Sequence, residues 1–135
     1  MTEAAADTSV LVAALAAWHP RHEEMRHVVA RRVTGAPAHC FVELYSVLTR
    51  LRAPHRISAR DAGAAVDALE LPVLTLSGQL QRDLVRRLAG LGITGGAVYD
   101  GVVAATAEHH GMPLLSLDRR ARTTYDALGI RSEMV

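Results

Sequence analysis

Four acidic residues stand at the end of a predicted strand or near the start of a predicted helix, and these are Asp7, Glu43, Asp100 and Asp118. Functional sites of parallel sheets lie beyond the carboxyl ends of the strands, so acids placed there would share one cleft. Crowded carboxylates repel one another and raise each other's pKa values. A hard divalent cation such as Mg²⁺ or Mn²⁺ relieves that repulsion and can activate water against a phosphodiester.

Taken singly, the same acids have simpler explanations. Asp7 and Asp118 each separate a strand candidate from a helix, which is the position of an N-cap. Glu43 is placed in the first turn of its helix, where a negative charge suits the helix dipole. Asp100 is harder to explain in this way, because a carboxylate in the apolar segment AVYDGVVAATA is costly unless it is paired, hydrogen-bonded or bound to metal. The four acids together therefore indicate a cation site, whereas each acid alone does not.

Predicted strands and helices, which must position these acids, alternate along the whole chain without a Gly/Ser-rich linker. Strands are expected at residues 4–6, 37–40, 72–76, 114–117 and, weakly, 130–131. Helical patterns cover residues 10–17, 21–33, 41–52, 58–69, 77–91, 98–110 and 119–128. Such alternation predicts an α/β fold with a parallel sheet of four to five strands, covered on both faces.

Composition restricts the class of protein further. A chain of 135 residues, half of them apolar, fits a single globular domain over residues 1–135. No run of 18 apolar residues predicts a membrane span, and the N-terminus lacks the basic region of a secretion signal. Cys40 is the only cysteine, so no intrachain disulfide can form, which suits a reducing cytoplasm. All 15 basic residues are arginine, but a net charge of +1 does not by itself indicate nucleic-acid binding.

At these acids the sequence resembles a PIN domain, and more narrowly a VapC-type toxin of a bacterial type II toxin–antitoxin pair. The matching segments are DTSVLVAAL, FVELYSVLTRL and AVYDGVVAATAEHHGMPLLSLD, whose order and spacing are more specific than any one of them. The resemblance implies a three-layer α/β/α sandwich with strand order 3-2-1-4-5. It also implies a Mg²⁺-dependent endoribonuclease, with Mn²⁺ as a possible substitute, whose catalytic and metal-binding residues are Asp7, Glu43, Asp100 and Asp118.

The resemblance assigns the metal chiefly to Asp7 and Asp100, with the other two acids acting directly or through water. Attack of the activated water on phosphorus would leave a 5′-phosphate and a 3′-hydroxyl. Ser9 and Ser116 are expected to support the acids, since Ser116 replaces a threonine common in the family and keeps a hydroxyl that can orient a carboxylate or water. The first strand, EAAAD, departs from the aliphatic strand usual in the family. Asp126 lies eight residues beyond the last acid, so it is left out of the site.

The partners expected are RNA, a cognate VapB-type antitoxin and a second copy of the chain in a homodimer. Arg119 and Arg120 follow a predicted metal ligand and are candidate phosphate contacts. The apolar helices at residues 10–17 and 44–51 could supply partner surfaces, although core packing would use them equally. Few aromatic residues are available for stacking on bases, and Trp18 is expected to pack at a helix end.

Two other functions are compatible with parts of the sequence. A catalytically silent PIN-like module would bind RNA or a partner without cleaving, although retention of all four acids argues against it. A receiver-type signalling domain also clusters acids in a parallel sheet, but it needs paired acids after its first strand and a lysine near its end, and this chain contains no lysine. The segment GLGITG at residues 90–95 matches a dinucleotide fingerprint by letters alone, because a helix, not a strand, precedes it.

Overall fold

The computed structural model describes residues 3–135. Its strands are β1 Ala4–Ala6, β2 Val33–Pro37, β3 Val73–Leu74, β4 Leu114–Ser116 and β5 Ser132–Met134. Its helices are α1 Thr8–Leu15, α2 His22–Arg32, α3 Ala38–Thr49, α4 Ala59–Ala68, α5 Gly78–Gly90, α6 Ala97–His109 and α7 Arg119–Ala127. The α/β fold class expected from the alternation is confirmed.

The five strands form one parallel sheet in the order β3-β2-β1-β4-β5, as the resemblance implied. β1 lies at the centre, where Ala5 pairs with Gly35 of β2 on one side and with Leu114 of β4 on the other. The carboxyl ends of β1 and β4 therefore lie side by side, and the segments that follow them carry Asp7 and Asp118. The topology brings together acids that are 111 positions apart in the sequence.

The central strand consists only of alanine, and Ala4, Ala5 and Ala6 are all inaccessible to solvent. Because successive strand residues point to opposite faces of a sheet, burial of all three means that both faces are covered. Leu114 and Leu115 of β4 are likewise fully buried. The short alanine side chains leave room for close packing on both faces, so a strand without branched residues still forms the middle of the core.

The strand expected at residues 37–40 was wrong, because β2 occupies Val33–Pro37 and the residues after Pro37 begin α3. Gly35 hides this strand in the sequence, since an interior glycine usually weakens a strand prediction. A Cβ atom at Gly35 would lie 3.0 Å from the side chain of Leu74 and 3.2 Å from the carbonyl oxygen of Pro72, so the approach of β3 leaves no space for a side chain.

The last strand begins two residues later than the sequence predicts. Residues 130–131 follow the turn at Gly129, whose φ of +71° is unfavourable for other residues, and Ile130 is buried as a core residue. β5 instead pairs Ser132, Glu133 and Met134 with β4 at the edge of the sheet. The polar, half-buried residues of an edge strand carry little strand signal of their own.

Several local predictions are confirmed. The Ser58 hydroxyl accepts a hydrogen bond from the Asp61 amide and caps α4. The segment GLGITG is the end of α5 and the loop after it, with positive φ at Gly92 and Gly95. Across residues 3–135, no helix combines the length and the apolar character needed to cross a membrane.

Candidate functional site

The four predicted acids line one cleft of about 750 Å³. Asp7 directly follows β1, Asp118 lies two residues beyond β4, and Asp100 is in the first turn of α6. Glu43 is not in the first turn of its helix, as expected from the sequence, because α3 starts at Ala38 and places it one turn further on. It still reaches the same cleft.

The carboxylate of Asp7 is held at both oxygens. Its Oδ1 accepts hydrogen bonds from the Ser9 hydroxyl at 2.5 Å and the Val10 amide at 3.3 Å, and its Oδ2 accepts one from the Tyr125 hydroxyl at 2.9 Å. Asp7 is only 4% exposed. Burial raises its pKa, while hydrogen bonding from Ser116, Ser9, Tyr125 and the Val10 amide opposes that rise. The N-cap explanation of Asp7 is correct, and it is compatible with the position in the cleft.

The two serines proposed as supporting residues connect the segments that carry the acids. Ser9 donates to Asp7 and accepts a hydrogen bond from the Leu117 amide at 2.8 Å, so one hydroxyl links the start of α1 to the end of β4. The Ser116 hydroxyl accepts from the Asp118 amide at 3.0 Å. These contacts fix the backbone on which both strand-end acids are mounted.

Tyr125 is a site residue that the sequence did not reveal. It is 1% exposed and lies on the inner face of α7 beside Ala121 and Thr124. A buried tyrosine hydroxyl usually has a hydrogen-bond partner, and that partner is Asp7, 118 positions earlier in the chain. The apolar periodicity of α7 could have shown that Tyr125 is buried, but only the fold shows its partner.

Asp118 caps α7, as expected for an acid between a strand and a helix. Its Oδ1 accepts hydrogen bonds from the Arg120 amide at 2.9 Å and the Ala121 amide at 3.3 Å. The Arg120 guanidinium Nε lies 4.0 Å from the same oxygen, and the Arg120 side chain is almost fully exposed. The carboxylate therefore faces the cleft from a fixed backbone position.

Asp100 shows most clearly that the four acids interact. Its pKa is raised to about 6, first by burial and then by the negative charges of Asp118, Glu43 and Asp7, with Arg120 partly opposing the rise. The part of the rise that comes from the other three acids is the mutual repulsion anticipated from the sequence. A carboxylate with such a pKa carries a free-energy cost at neutral pH that a cation would reduce.

Glu43 pairs with His39 on its own helix, and His39 in turn stacks on Tyr99. The His39 ring Nε2 lies 3.5 Å from the Glu43 Oε2, one turn earlier on α3. The same imidazole stacks on Tyr99, with ring centroids 5.2 Å apart and planes within 8°. Tyr99 precedes Asp100, so this stack joins the helices that carry two of the four acids.

The donor chemistry of the cleft fits a hard divalent cation. Carboxylate oxygens are the ligands that Mg²⁺ and Mn²⁺ prefer, and Mg²⁺ commonly uses one or two carboxylates while retaining several waters. Within residues 3–135, no three His, Cys, Asp or Glu side chains are arranged so that they could hold a metal ion as they stand. The cleft therefore fits a cation bound by few direct ligands better than a closed metal cage.

Cys40 does not extend this ligand set. Burial raises the pKa of its thiol to about 12, so the thiolate form that binds metals is strongly disfavoured. Its interpretation as a small buried residue is confirmed.

Positive charge stands beside the acids. Arg119 and Arg120, the predicted phosphate contacts, both line the cleft. Arg50 lines it as well, contributed from the end of α3. A cleft bounded by carboxylates and guanidinium groups suits a bound cation together with a phosphate-bearing ligand.

Comparisons with known proteins bear on the family of the chain. Residues 4–127 match the family model described as PIN domain. The chain is 44% identical over 132 residues to Ribonuclease VapC40 of Mycobacterium tuberculosis, covering 97% of this chain and 98% of that protein.

Two solved structures resemble the fold. VapC20 of M. tuberculosis, described as a sarcin-ricin loop cleaving toxin, has a TM-score of 0.69 at 20% identity, with 96% of each chain covered. VapBC2 from Rickettsia felis, solved with a DNA fragment from its promoter, has a TM-score of 0.65 at 14% identity, with 98% of each chain covered. At these identities both neighbours support the fold alone.

Replacing Asp100 with asparagine should stabilise the metal-free protein at alkaline pH. Folding raises the Asp100 pKa from 3.8 to about 6, so the folded state holds this proton more tightly and loses stability as the pH rises through that window. The asparagine side chain carries no charge and avoids the loss. With metal chelated, the variant should melt above the wild type at pH 8, and the difference should vanish near pH 4.

Added Mg²⁺ should then raise the melting temperature of the wild type more than that of Asp100→Asn, because ligands stabilise the state that binds them. Asp126→Asn provides the matched control, since Asp126 is exposed and pairs with Arg122 at 3.7 Å. If the metal-free Asp100→Asn protein melted below the wild type at pH 8, the prediction that the Asp100 charge destabilises the folded state would be wrong.

Tyr125→Phe should remove one donor from the buried Asp7 carboxylate while keeping the ring in the core. The expected loss is about 1–3 kcal/mol of unfolding free energy at pH 8, measured by urea denaturation. Because the Tyr125 hydrogen bond lowers the Asp7 pKa, the loss should shrink at acid pH, where Asp7 is protonated. Tyr45→Phe, on the exposed side of α3, is the control, and an equal effect of both substitutions would refute the role of the hydrogen bond.

Proposed function

The chain belongs to the PIN-domain family, with a VapC ribonuclease among its relatives, and on that basis we propose that it is a metal-dependent endoribonuclease acting as the toxin of a toxin–antitoxin pair. The observation that carries the proposal is the cleft shared by Asp7, Glu43, Asp100 and Asp118, where burial and then the neighbouring charges raise the pKa of Asp100. Carboxylates crowded at this cost are suited to cation binding and phosphodiester hydrolysis.

In this proposal Asp7 and Asp100 are the main ligands of Mg²⁺, or of Mn²⁺ in its place, and Asp118 and Glu43 act directly or through water. When bound, the cation supplies positive charge beside the scissile phosphate and makes nearby water more acidic. The protein's own residues fix the geometry. Asp7 is oriented through both oxygens, and Ser9 and Ser116 hold the backbone of the strand-end acids.

The product ends follow from the direction of attack. Water adds to phosphorus, the 3′ oxygen leaves with its electron pair, and the products carry a 5′-phosphate and a 3′-hydroxyl. Arg119 and Arg120 are proposed to contact phosphates of the RNA next to the reacting one, because guanidinium groups pair well with phosphate oxygens. Arg50 supplies a third cation to the same cleft from α3.

We also propose that residues 1–135 form one domain. The central strand comes from residues 4–6 and an edge strand from residues 132–134, so both ends of the chain take part in one sheet. The PIN-domain match covers residues 4–127, most of this length.

The decisive test is cleavage of purified total RNA with Mg²⁺ or with a chelator, followed by mapping of the 5′ ends. Asp7→Asn and Asp100→Asn should each abolish Mg²⁺-dependent cleavage while the fold survives, because each removes a carboxylate ligand. Asp126→Asn, an equivalent change outside the cleft, should cleave like the wild type. Undiminished cleavage in both site variants would overturn the assignment, and RNA binding without any cleavage would favour a catalytically silent module.

A partner protein is the second part of the proposal. A toxin must be held inactive, and the structural neighbour from R. felis is a VapBC assembly. The helices at residues 10–17 and 44–51 offer less surface for this than their sequences suggested, since Val10, Leu11, Leu44 and Leu48 are all fully buried. A VapB-type antitoxin and a homodimer are both proposed on the basis of the family.

Titration with the product of the neighbouring gene should yield a stable complex and suppress RNA cleavage in proportion to the amount bound. Light scattering of the free protein and of the complex measures the oligomeric state at the same time. A partner that neither binds nor inhibits would remove the antitoxin from the proposal. A monomeric mass in both samples would remove the homodimer.

A further inference from the structure

Two loops form an exposed aromatic cluster: the turn between α1 and α2 contributes Trp18 and His19, and the loop between α3 and α4 contributes His55. The Trp18 indole stacks on the His55 ring, with centroids 4.7 Å apart and planes inclined by 29°. The His19 ring lies 5.9 Å from the indole at 42°. Trp18 is 42% exposed, so it does not simply pack against a helix end as the sequence suggested. In a chain with only 4% aromatic residues, this is a distinctive surface.

The aromatic cluster adjoins the acidic cleft through two chain neighbours. His19, next to Trp18, lines the cleft. Arg50 lines it too and immediately precedes the loop at residues 51–57, which carries His55. Trp18 is therefore the chain neighbour of a residue that lines the cleft, and His55 follows another such residue by five positions.

Hydrogen bonds hold the His19 ring and the loop that carries His55. The His19 Nδ1 accepts a hydrogen bond from the Arg21 amide at 3.1 Å, which sets the ring orientation. In the loop, the Ile57 amide donates to the Leu48 carbonyl at 3.1 Å, and the Arg56 Nε donates to the Leu51 carbonyl at 3.0 Å. A rigid, exposed aromatic surface binds at a lower entropic cost than one that must be ordered on binding.

Positive charge surrounds this surface. Arg52 and Arg56 are exposed on the loop that holds His55, and Arg50 borders the cleft. Aromatic rings beside arginines are the combination with which proteins bind single-stranded nucleic acids, because bases stack on the rings while the backbone phosphates meet the cations. A purely structural contact between the two rings would not require exposure to solvent. Trp18 is 42% exposed, and a base needs such an accessible ring surface in order to stack.

We propose that Trp18 and His55 form a nucleobase-binding subsite, on which one unpaired base of a single-stranded RNA stacks while an adjacent phosphate enters the acidic cleft. This subsite rests on the proposed ribonuclease function. It selects unpaired RNA by stacking, since a base inside a duplex presents no free face. Sequence preference is expected to be weak at this position, with purines favoured for their larger rings.

Trp18 is the only tryptophan, so its fluorescence reports directly on the subsite. The probe is a ten-nucleotide oligoadenylate RNA, added to the cleavage-deficient Asp7→Asn protein, with binding followed separately by anisotropy of a fluorophore on the RNA. Tryptophan emission should be quenched over the same concentrations at which anisotropy rises. A ten-unit ribose-phosphate chain without bases should bind less tightly and leave the emission unchanged.

Substitutions separate stacking from folding. Trp18→Leu should weaken oligoadenylate binding about tenfold, the order found for loss of one base–aromatic stack. Trp18→Phe should retain most of the affinity, and the salt dependence of binding should stay the same because phosphate contacts are untouched. Tyr45→Leu, which removes an exposed aromatic residue outside the residues lining the cleft, should leave binding unchanged. Melting temperatures of all variants identify those that fold.

Unquenched tryptophan emission at saturating RNA overturns the subsite, and so does an anisotropy titration that detects no binding. Equal affinities of Trp18→Leu and Tyr45→Leu would also overturn it. The proposed ribonuclease function is tested independently of the subsite, because RNA cleavage is measured with the wild-type protein. Cleavage without quenching refutes the subsite alone, whereas quenching without cleavage refutes the nuclease and leaves a base-stacking RNA-binding surface.

Discussion

The rest of the site depends on one constraint, which is that the buried carboxylate of Asp7 must have hydrogen-bond partners. Asp7 sits at the end of the central strand, nearly inaccessible to solvent, and a buried charge is tolerated only when its oxygens have partners. Those partners come from α1 and from α7, while the Ser9 hydroxyl also holds the end of β4 through the Leu117 amide. The hydrogen bonds to Asp7 and Ser9 therefore fix the positions of β4 and α7, the two elements between which Asp118 lies.

The shared cleft of the acids was predictable because a parallel sheet gathers its strand ends at one edge. The strand order was implied only by the resemblance to PIN domains. What escaped prediction depends on contacts between distant segments. Gly35 weakens the strand pattern in the sequence, yet the approach of Leu74 and Pro72 leaves no room there for a side chain. The last strand contains Ser132 and Glu133 and pairs only with the edge of β4. Tyr125 is an ordinary helical residue until the fold brings it to Asp7. His39, in contrast, pairs with Glu43 within one helix, at a local i, i+4 spacing.

Stability and function are opposed in this cleft. The raised pKa of Asp100 reflects first the burial of its carboxylate and then the repulsion by the other three acids, which Arg120 offsets only in part. The alanines of β1 and the fully buried leucines around them supply the packing that tolerates this cost. Under the proposed function, a bound cation would lower this electrostatic cost and thereby stabilise the folded state.

The burial of Cys40 has a practical consequence. It is the only thiol of the chain, it is enclosed by the core, and its pKa of about 12 keeps it protonated in neutral solution. Thiol-directed oxidants and alkylating reagents act on exposed thiolates, so this thiol is expected to be unreactive toward them in the native protein. One cysteine introduced on the surface would consequently be the single reactive handle, ready for a dye, a spin label or a crosslinker without removing any native residue.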